Sequence, residues 1–536
     1  MTRAAALWGL VLLLAAVAQA TPEPVIARIT VNRSNIFDPS VKAESSWPYR
    51  LTNSLHSVTR EAFIRRELLF KEGDPCDPEV LRESERKLRA TGVMNPISIT
   101  STSLPDGTCA VDVFTRDVWT TQPGIDFGTY GGKTKYSIDL EESNFLGRGT
   151  DLLLSFENNV DTRRYLLDYK DQQFLGRPWD AEAGIWDTDD GTGYILRLSQ
   201  PFDAFTVPFA FEGLIRSDKM GEYLYWGDQK AFHVVNDHQI LRFSYGEKVW
   251  GHDDRLWRLT GGFTRETDQS VEVETLVEGH PFAPFPSLEL SVLWARAESL
   301  RVRYLKTKGI QGWTSDEDIL LGPRLWAEAG WSQPRLDGDK AWIFSCFYQD
   351  GVAAGPWLWL RRAGGRLMHL SDGWRDNAFF LDSNLFFLAS DRSNLALAAS
   401  LDGYGAPDLR GVLYLGAEDG LRGYGYRVGT GSRRLRVTLQ EKTMFFENVL
   451  ALGNLGVAAF YDGGMIWGWG VPFRKAPWRH DVGVGLRFEN LRSKVARVAR
   501  LDIGYALSGK DRGWEITLAT GDWFIFNPFG HFTEGY

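Results

Sequence analysis

Only three cysteines and six methionines occur in 536 residues. Beyond residue 20 no window holds about 18 uninterrupted apolar residues, which excludes a bundle of membrane-spanning helices. So few cysteines exclude a disulfide-dense scaffold. The eight histidines, at positions 56, 233, 238, 252, 280, 369, 480 and 531, show no metal-ligand spacing. A nucleophile elbow is missing, and Gly429-Thr430-Gly431-Ser432 lacks the Gly-Lys-Ser/Thr that a phosphate loop needs. Asp189-Asp190 and Asp253-Asp254 read as loop charges, and His480-Asp481 as a rim pair at the start of a strand. Acidic residues exceed basic ones by 69 to 60, and no basic domain stands out, which argues against nucleic acid as a partner. The expectation is a protein that is not an enzyme and uses no metal or cofactor.

What the chain does have is glycine and aromatic residues: 55 Gly, 32 Phe, 21 Trp and 18 Tyr. From Trp119 onward apolar and polar residues alternate with period 2, the pattern of strands with one apolar face. Tyr136, Ile138 and Leu140 alternate with Ser137, Asp139 and Glu141. Val482, Val484, Leu486 and Phe488 face one way, and Gly483, Gly485, Arg487 and Glu489 the other. Leu501, Ile503 and Tyr505 oppose Arg500, Asp502 and Gly504, while Trp514, Ile516 and Leu518 oppose Glu515, Thr517 and Ala519. Repeated strands of this kind suit an all-β transmembrane barrel, closed because an open edge is not tolerated in lipid. A soluble sandwich or propeller also alternates, but no blade-length repeat is present. Spread over residues 122–524, the strands number about 16, at about 25 residues for each strand with its connection. The stretch 340–406 suits two or three of them.

Ahead of the barrel the pattern differs. Residues 1–20 read as a signal peptide: Arg3, an apolar core from Ala4 to Val17, then the small-residue site Ala18-Gln19-Ala20. Residues 24–118 read strand, helix, helix, strand, strand, a small α+β domain. Ile26, Ile29 and Val31 begin the first strand, and residues 36–55 read as an irregular insertion. A first helix is expected over about 59–70. In the second, Asp77 is the cap, Pro78 the first helical residue and Gly92 the end. Leu81 and Leu88 share its buried face, with Arg82, Glu83, Glu85, Arg86 and Lys87 solvated. Ile97, Ile99, Val111 and Val113 mark the remaining strands. Export to an oxidising compartment allows a Cys76–Cys109 disulfide, and two separate buried thiols are the other reading.

Within the barrel region Gly420-Leu421-Arg422-Gly423-Tyr424 lies forty residues before Phe460-Tyr461-Asp462-Gly463-Gly464. Parity places Phe460, Asp462 and Gly464 on the polar, lumenal face of their strand. There Asp462 is within reach of a loop arginine, whose planar fork matches a carboxylate. Glu441 is a second candidate acid, although its parity with Leu435, Val437 and Leu439 points it outward. Five strands follow Arg422, starting near 434, 455, 481, 495 and 513. Gly124, Gly128, Gly131 and Gly132 fall where the first strand meets the last, and either weaken pairing there or shape the wall.

These residues resemble the BamA/TamA-type outer-membrane proteins, in which periplasmic POTRA domains precede a 16-stranded barrel. The runs Leu69-Phe70-Lys71-Glu72-Gly73-Asp74 and Glu83-Ser84-Glu85-Arg86-Lys87-Leu88-Arg89 are similar to that family. So are Arg116-Asp117-Val118-Trp119-Thr120 and Asn144-Phe145-Leu146-Gly147. The resemblance makes Leu421, Arg422, Gly423 and Tyr424 a loop-six motif, and Phe460, Asp462 and Gly464 its strand-thirteen partner. It implies one POTRA at 24–118, a barrel at 119–524 and a C-terminal extension at 525–536 past Phe524. About five residues separate the cleavage site from the first strand, which leaves no room for the plug helix of two-partner secretion pores. It implies a bacterial outer-membrane factor that receives unfolded outer-membrane or secreted β-rich clients and inserts or exports them. Its other partners are outer-membrane lipid and periplasmic accessory proteins. The alternative is a passive, porin-like barrel whose POTRA is an adaptor.

Overall fold

The computed structural model describes residues 24–130, 133–227, 229–252, 254–280, 282, 287–405, 411–491, 498–509 and 513–520. The expected signal peptide, Gly131, Gly132, Phe524 and the extension 525–536 lie outside them.

The N-terminal domain begins with β1 (Ile26–Ser34), then α1 (Trp47–Leu55), α2 (Glu61–Glu67) and α3 (Pro78–Ala90). It ends with β2 (Met94–Ser103) and β3 (Cys109–Asp117). β3 lies in the middle, parallel to β1 and antiparallel to β2. The inward residues Ile26, Ile29, Ile97, Val111 and Val113 pack on Phe63, Ile64, Leu81 and Leu88 from the helices. The Asp77 carboxylate accepts the Glu79 N–H at 2.8 Å and caps α3. Gly92, at φ +72°, ends that helix in the left-handed conformation glycine adopts freely. Cys76, just before α3, is joined to Cys109 of β3 by a disulfide, their Cα atoms 6.7 Å apart.

Two expectations for this domain fail. The segment 36–55 contains a regular helix, α1, started by Pro48 in its first turn and packed through Tyr49 against Phe37. Glu83, Arg86 and Lys87 are not solvated. They are sheltered between α3 and the barrel, where Lys87 bridges Glu67 and Asp203, each at 3.1 Å. A charged helix face looks solvent-exposed in sequence whether it meets water or a polar partner surface.

Ten barrel strands follow. They are β4 (Thr121–Tyr130), β5 (Lys133–Glu142), β6 (Thr150–Asn158), β7 (Arg163–Asp171) and β8 (Asp180–Thr188). Next come β9 (Gly191–Gln200), β10 (Phe209–Trp226), β11 (Gln229–His252), β12 (Arg255–Thr275) and β13 (Leu288–Arg301). A loop hairpin, β14 (Tyr304–Thr307) with β15 (Glu317–Leu320), precedes five more strands. These are β16 (Arg324–Ser332), β17 (Ala341–Ala354), β18 (Trp357–Leu370), β19 (Gly373–Ser390) and β20 (Ser393–Gly405). A second loop hairpin, β21 (Leu413–Leu415) with β22 (Gly429–Gly431), leads to the last five. They are β23 (Arg433–Val449), β24 (Gly453–Trp467), β25 (Arg479–Asn490), β26 (Val498–Ala506) and β27 (Trp514–Thr520). Ten, five and five make a closed barrel of twenty strands among the described residues, with sequential neighbours antiparallel and β27 beside β4.

The barrel is all-β and apolar outside. Ile138, Leu154, Leu439, Val484, Leu486, Ile503 and Ile516 are exposed on its outer wall, while Arg487, Glu489, Arg500 and Asp502 are buried inside. Among the described residues no helix is long and apolar enough to cross a membrane. A closed sheet with an apolar exterior crosses with its strands instead, because every backbone group is paired within the wall.

Twenty strands replace the expected count of about 16, and four of them, β17 to β20, occupy the stretch given two or three. The connections at 355–356, 371–372 and 391–392 are two-residue turns, so an average spacing that assumes longer loops undercounts. The count of five strands after Arg422 matches β23 to β27. The loop therefore follows the fifteenth barrel strand and Asp462 lies on the seventeenth, not on a sixth loop and a thirteenth strand.

Candidate functional site

In the connection from β20 to β23, residues 411–432 fold into the barrel from the end away from the N-terminal domain. Its β21–β22 hairpin gives it a rigid stem. Leu415 and Leu421 pack in a buried cluster with Ile466 of β24 and Ala506 of β26. The Leu421 N–H donates to the Gly416 carbonyl at 2.9 Å, turning the chain so that Arg422 leads into the lumen.

Arg422 is fully buried and meets the wall through every part of its guanidinium. Nε and Nη2 donate to the two Asp462 carboxylate oxygens at 2.7 and 3.0 Å. Nη1 donates to Gln440 Oε1 at 2.7 Å and lies 3.7 Å from Asp502. The flat face stacks on Phe460, 3.5 Å from its ring centroid. Arg487 donates to Asp502 at 2.6 Å and to Gln440 at 3.1 Å, and Arg500 donates to Asp502 at 2.8 Å. Arg422, Arg487 and Arg500 thus surround Asp462 and Asp502, with Asp481 buried beside them. Such pairing matters because a lone charge taken out of water is very costly.

Missing side chains make the room. A Cβ on Gly504 would lie 2.7 Å from the Gly423 Cα, so loop and wall touch backbone to backbone. A Cβ on Gly483 would meet the Phe460 ring at 2.2 Å, and one on Gly485 would meet Asp502 at 2.0 Å. Gly464 lies beneath Leu415 of the stem. Beyond the arginine, the buried Tyr424 reaches the far rim of the lock. Its hydroxyl lies 2.9 Å from the Ser508 carbonyl and accepts the His480 N–H at 3.1 Å.

The structure therefore brings Leu421, Arg422, Gly423, Tyr424, Phe460, Asp462 and Gly464 together. Glu441 is not part of the site. It bonds Ser393 and Thr443 on the outer side of β23, as its parity requires, and the neighbouring Gln440 takes the inward position. Gln440 and Gly504 were not singled out from sequence. The signal available was their inward parity, shared with Arg434 and with Asp502 respectively.

Polar contacts continue up the stem. Arg434 of β23 donates to Asp402 at 3.0 Å, to Asp419 of the loop at 2.9 Å and to the Tyr414 carbonyl at 2.6 Å. Arg427 lies among the rings of Tyr414, Tyr225 and Tyr426, at 4.0, 5.0 and 4.7 Å from their centroids.

The other mouth of the barrel is filled by a different segment. The β13–β16 connection, residues 302–323, carries the β14–β15 hairpin, whose tip enters the lumen from the domain end. Lys442 of β23 donates to the Ile310 and Gln311 carbonyls at 2.8 and 2.6 Å. Glu489 of β25 accepts the Thr314 and Ser315 N–H groups, each at 3.1 Å. Trp313 is buried against Gly456 of β24, where any Cβ would collide with its ring. Within the hairpin Glu317 accepts the Gln311 N–H at 2.9 Å, and burial pushes its carboxyl up to about 7. The base of the hairpin holds the N-terminal domain: Arg89 of α3 forks onto Asp318 at 2.8 and 3.1 Å. Arg86 stacks over Tyr304 at 4.9 Å. Further around the same mouth, the Arg60 N–H donates to the Gly147 carbonyl at 2.8 Å, and Gln173 donates to the Phe63 carbonyl at 3.0 Å.

No family model matches the chain, and no curated protein matches it. Solved structures do. BamA from Haemophilus ducreyi, lacking POTRA domains 1–3, is 12% identical, covers 92% of this chain and 84% of its own, and gives a TM-score of 0.37. CdiB from Escherichia coli is 12% identical, covers 94% and 77%, and gives 0.47. The OccK2 (OpdF) structure from Pseudomonas aeruginosa is 9% identical, covers 74% and 94%, and gives 0.33. The barrel is established by its own strand pairing. The chain is similar to BamA and CdiB over most of its length.

Proposed function

We propose that the chain is an outer-membrane protein assembly or translocation factor of the BamA/TamA type. The N-terminal domain, POTRA-like in its order of elements, lies in the periplasm and receives unfolded β-rich client polypeptide. The barrel then inserts or exports that client without chemical catalysis or nucleotide. Strand templating and local loosening of the wall supply the work. One observation carries this reading over a passive pore: loops enter the lumen from both ends and are fastened to its wall, through Arg422–Asp462 on one side and Lys442 and Glu489 on the other. Loops fastened from both ends obstruct free diffusion, and their release would open a path. The outer edge of β2 carries no further strand among the described residues, and so offers a client a place to add one.

Depletion in the native cell tests the proposal. The β-rich outer-membrane or secreted proteins should fall, and photo-crosslinkers placed along β2 should capture them in unfolded form. Unchanged outer-membrane and secreted proteomes, together with free passage of sugars through reconstituted vesicles, would establish the passive barrel instead.

A further inference from the structure

Helix α1 occupies the segment in which sequence patterning showed no order, and the lock and the hairpin leave it unused. Trp47, Leu51 and Leu55 recur every fourth residue and so share one face. The opposite face belongs to the domain. Tyr49 packs against Phe37 with ring centroids 4.5 Å apart, and Asn53 donates to the Phe37 carbonyl at 2.7 Å. Among the described residues nothing covers the apolar face: Trp47 is 68% exposed and Leu55 69%, with Leu51 exposed between them. The helix contains no acid, and its own Arg50 and the preceding Lys42 are both exposed.

The position of the helix decides what covers that face. The Tyr49 hydroxyl donates to the carbonyl of Leu450, in the turn joining β23 to β24 at the domain end of the barrel. Leu450 is exposed, as are Phe445 and Phe446 just before it on β23, and Leu439 further along that strand. Those side chains belong to the outer apolar wall, so α1 is tied to the rim of the surface that lipid covers. We propose that α1 is an interfacial anchor, its Trp47, Leu51 and Leu55 seated in the glycerophospholipid leaflet at the domain end. Lys42 and Arg50 then lie at the headgroups, the arrangement of amphipathic helices that rest in a membrane surface. The proposal rests only on the barrel's place in a bilayer, not on its transport role. The anchor fixes the N-terminal domain against the membrane as well as against the barrel turns.

The test uses the full chain with Cys346→Ala, so that the engineered cysteine is the only free thiol, and Leu51→Cys carrying an environment-sensitive NBD label. The protein is reconstituted in phosphatidylethanolamine–phosphatidylglycerol vesicles, and barrel folding is checked by heat-modifiable migration. Emission should be blue-shifted and fall by roughly half when the lipids carry a shallow nitroxide. The same label at Ser101→Cys, on the exposed part of β2, should report water and remain unquenched. Leu55→Cys repeats the measurement if Leu51→Cys does not fold. A water-like, unquenched signal from the folded barrel overturns the anchor. So does a label shielded only after periplasmic extract is added, which would make the face a protein-docking surface.

Discussion

The two loops that close this barrel are fastened in opposite ways. At the distal mouth the loop brings the charge: Arg422 supplies the cation, and the wall supplies Asp462, Gln440 and the Phe460 ring. At the domain mouth the wall brings Lys442 and Glu489, and the hairpin answers with backbone carbonyls, N–H groups and the Thr314 and Ser315 hydroxyls. The first arrangement is selective for one side chain. The second leans mainly on a backbone shape with two small hydroxyl residues, so more sequences are able to satisfy it. Breaking a charge pair leaves a buried ion stranded, whereas breaking a charge–backbone contact leaves dipoles that water can solvate once the hairpin moves.

The largest effect should come from the distal lock. Arg422→Ala should lower the stability of the docked loop by about 3–5 kcal/mol, because Asp462 remains buried beside Asp481 with its bidentate partner gone. Faster proteolysis within 411–432, with the barrel still heat-modifiable, would show it. Adding Asp462→Ala to the same chain should cost much less than the sum of the single changes, since both remove one interaction. Additive losses would mean that the two residues are not coupled.

At the domain mouth the effects should be smaller. Lys442→Met or Glu489→Gln should each weaken hairpin docking by about 1–3 kcal/mol, seen as faster cleavage within 308–316 and a rise in vesicle conductance. An equal or larger loss than for Arg422→Ala would erase the contrast between the two fastenings.

Glu317 sharpens the contrast through pH. Burial raises its carboxyl from 4.5 to about 7 when the hairpin is docked, so the docked form holds a proton that the released form loses first. Docking should therefore be tightest below about 4.5, weaken as pH rises toward 7 and level off above it. Glu317→Gln should flatten the pH dependence of hairpin cleavage without affecting the distal loop. The smallest effect is expected from Arg89→Gln, which removes the partly buried Asp318 fork at the barrel mouth and should cost about 1 kcal/mol of domain docking.

The same contrast explains what could be read in advance. Period-2 alternation gave the barrel, its inside and its outside. It also placed Phe460, Asp462 and Gly464 inward and Glu441 outward, because strand parity is a local property of the chain. The paired motifs around Arg422 and Asp462 stood out because the loop contributes a particular side chain. Nothing comparable marked residues 302–323. Ile310 and Gln311 act through backbone carbonyls that every residue possesses, and Thr314 and Ser315 add only common hydroxyls to their backbone N–H groups. Strand number was likewise hidden, since two-residue turns such as 355–356 leave almost no break in the pattern.

From sequence alone came the two-faced strands, the small α+β domain ahead of them and the residue types of the distal lock. The first two are set by neighbours a few positions apart, and the third by two short motifs forty residues apart. Tertiary structure alone decided the closure at twenty strands, the choice of Gln440 beside Asp462, the backbone contact of Gly423 with Gly504 and the hairpin that fills the second mouth. These depend on which distant strands end up side by side, and a curved wall determines that only once it has closed on itself.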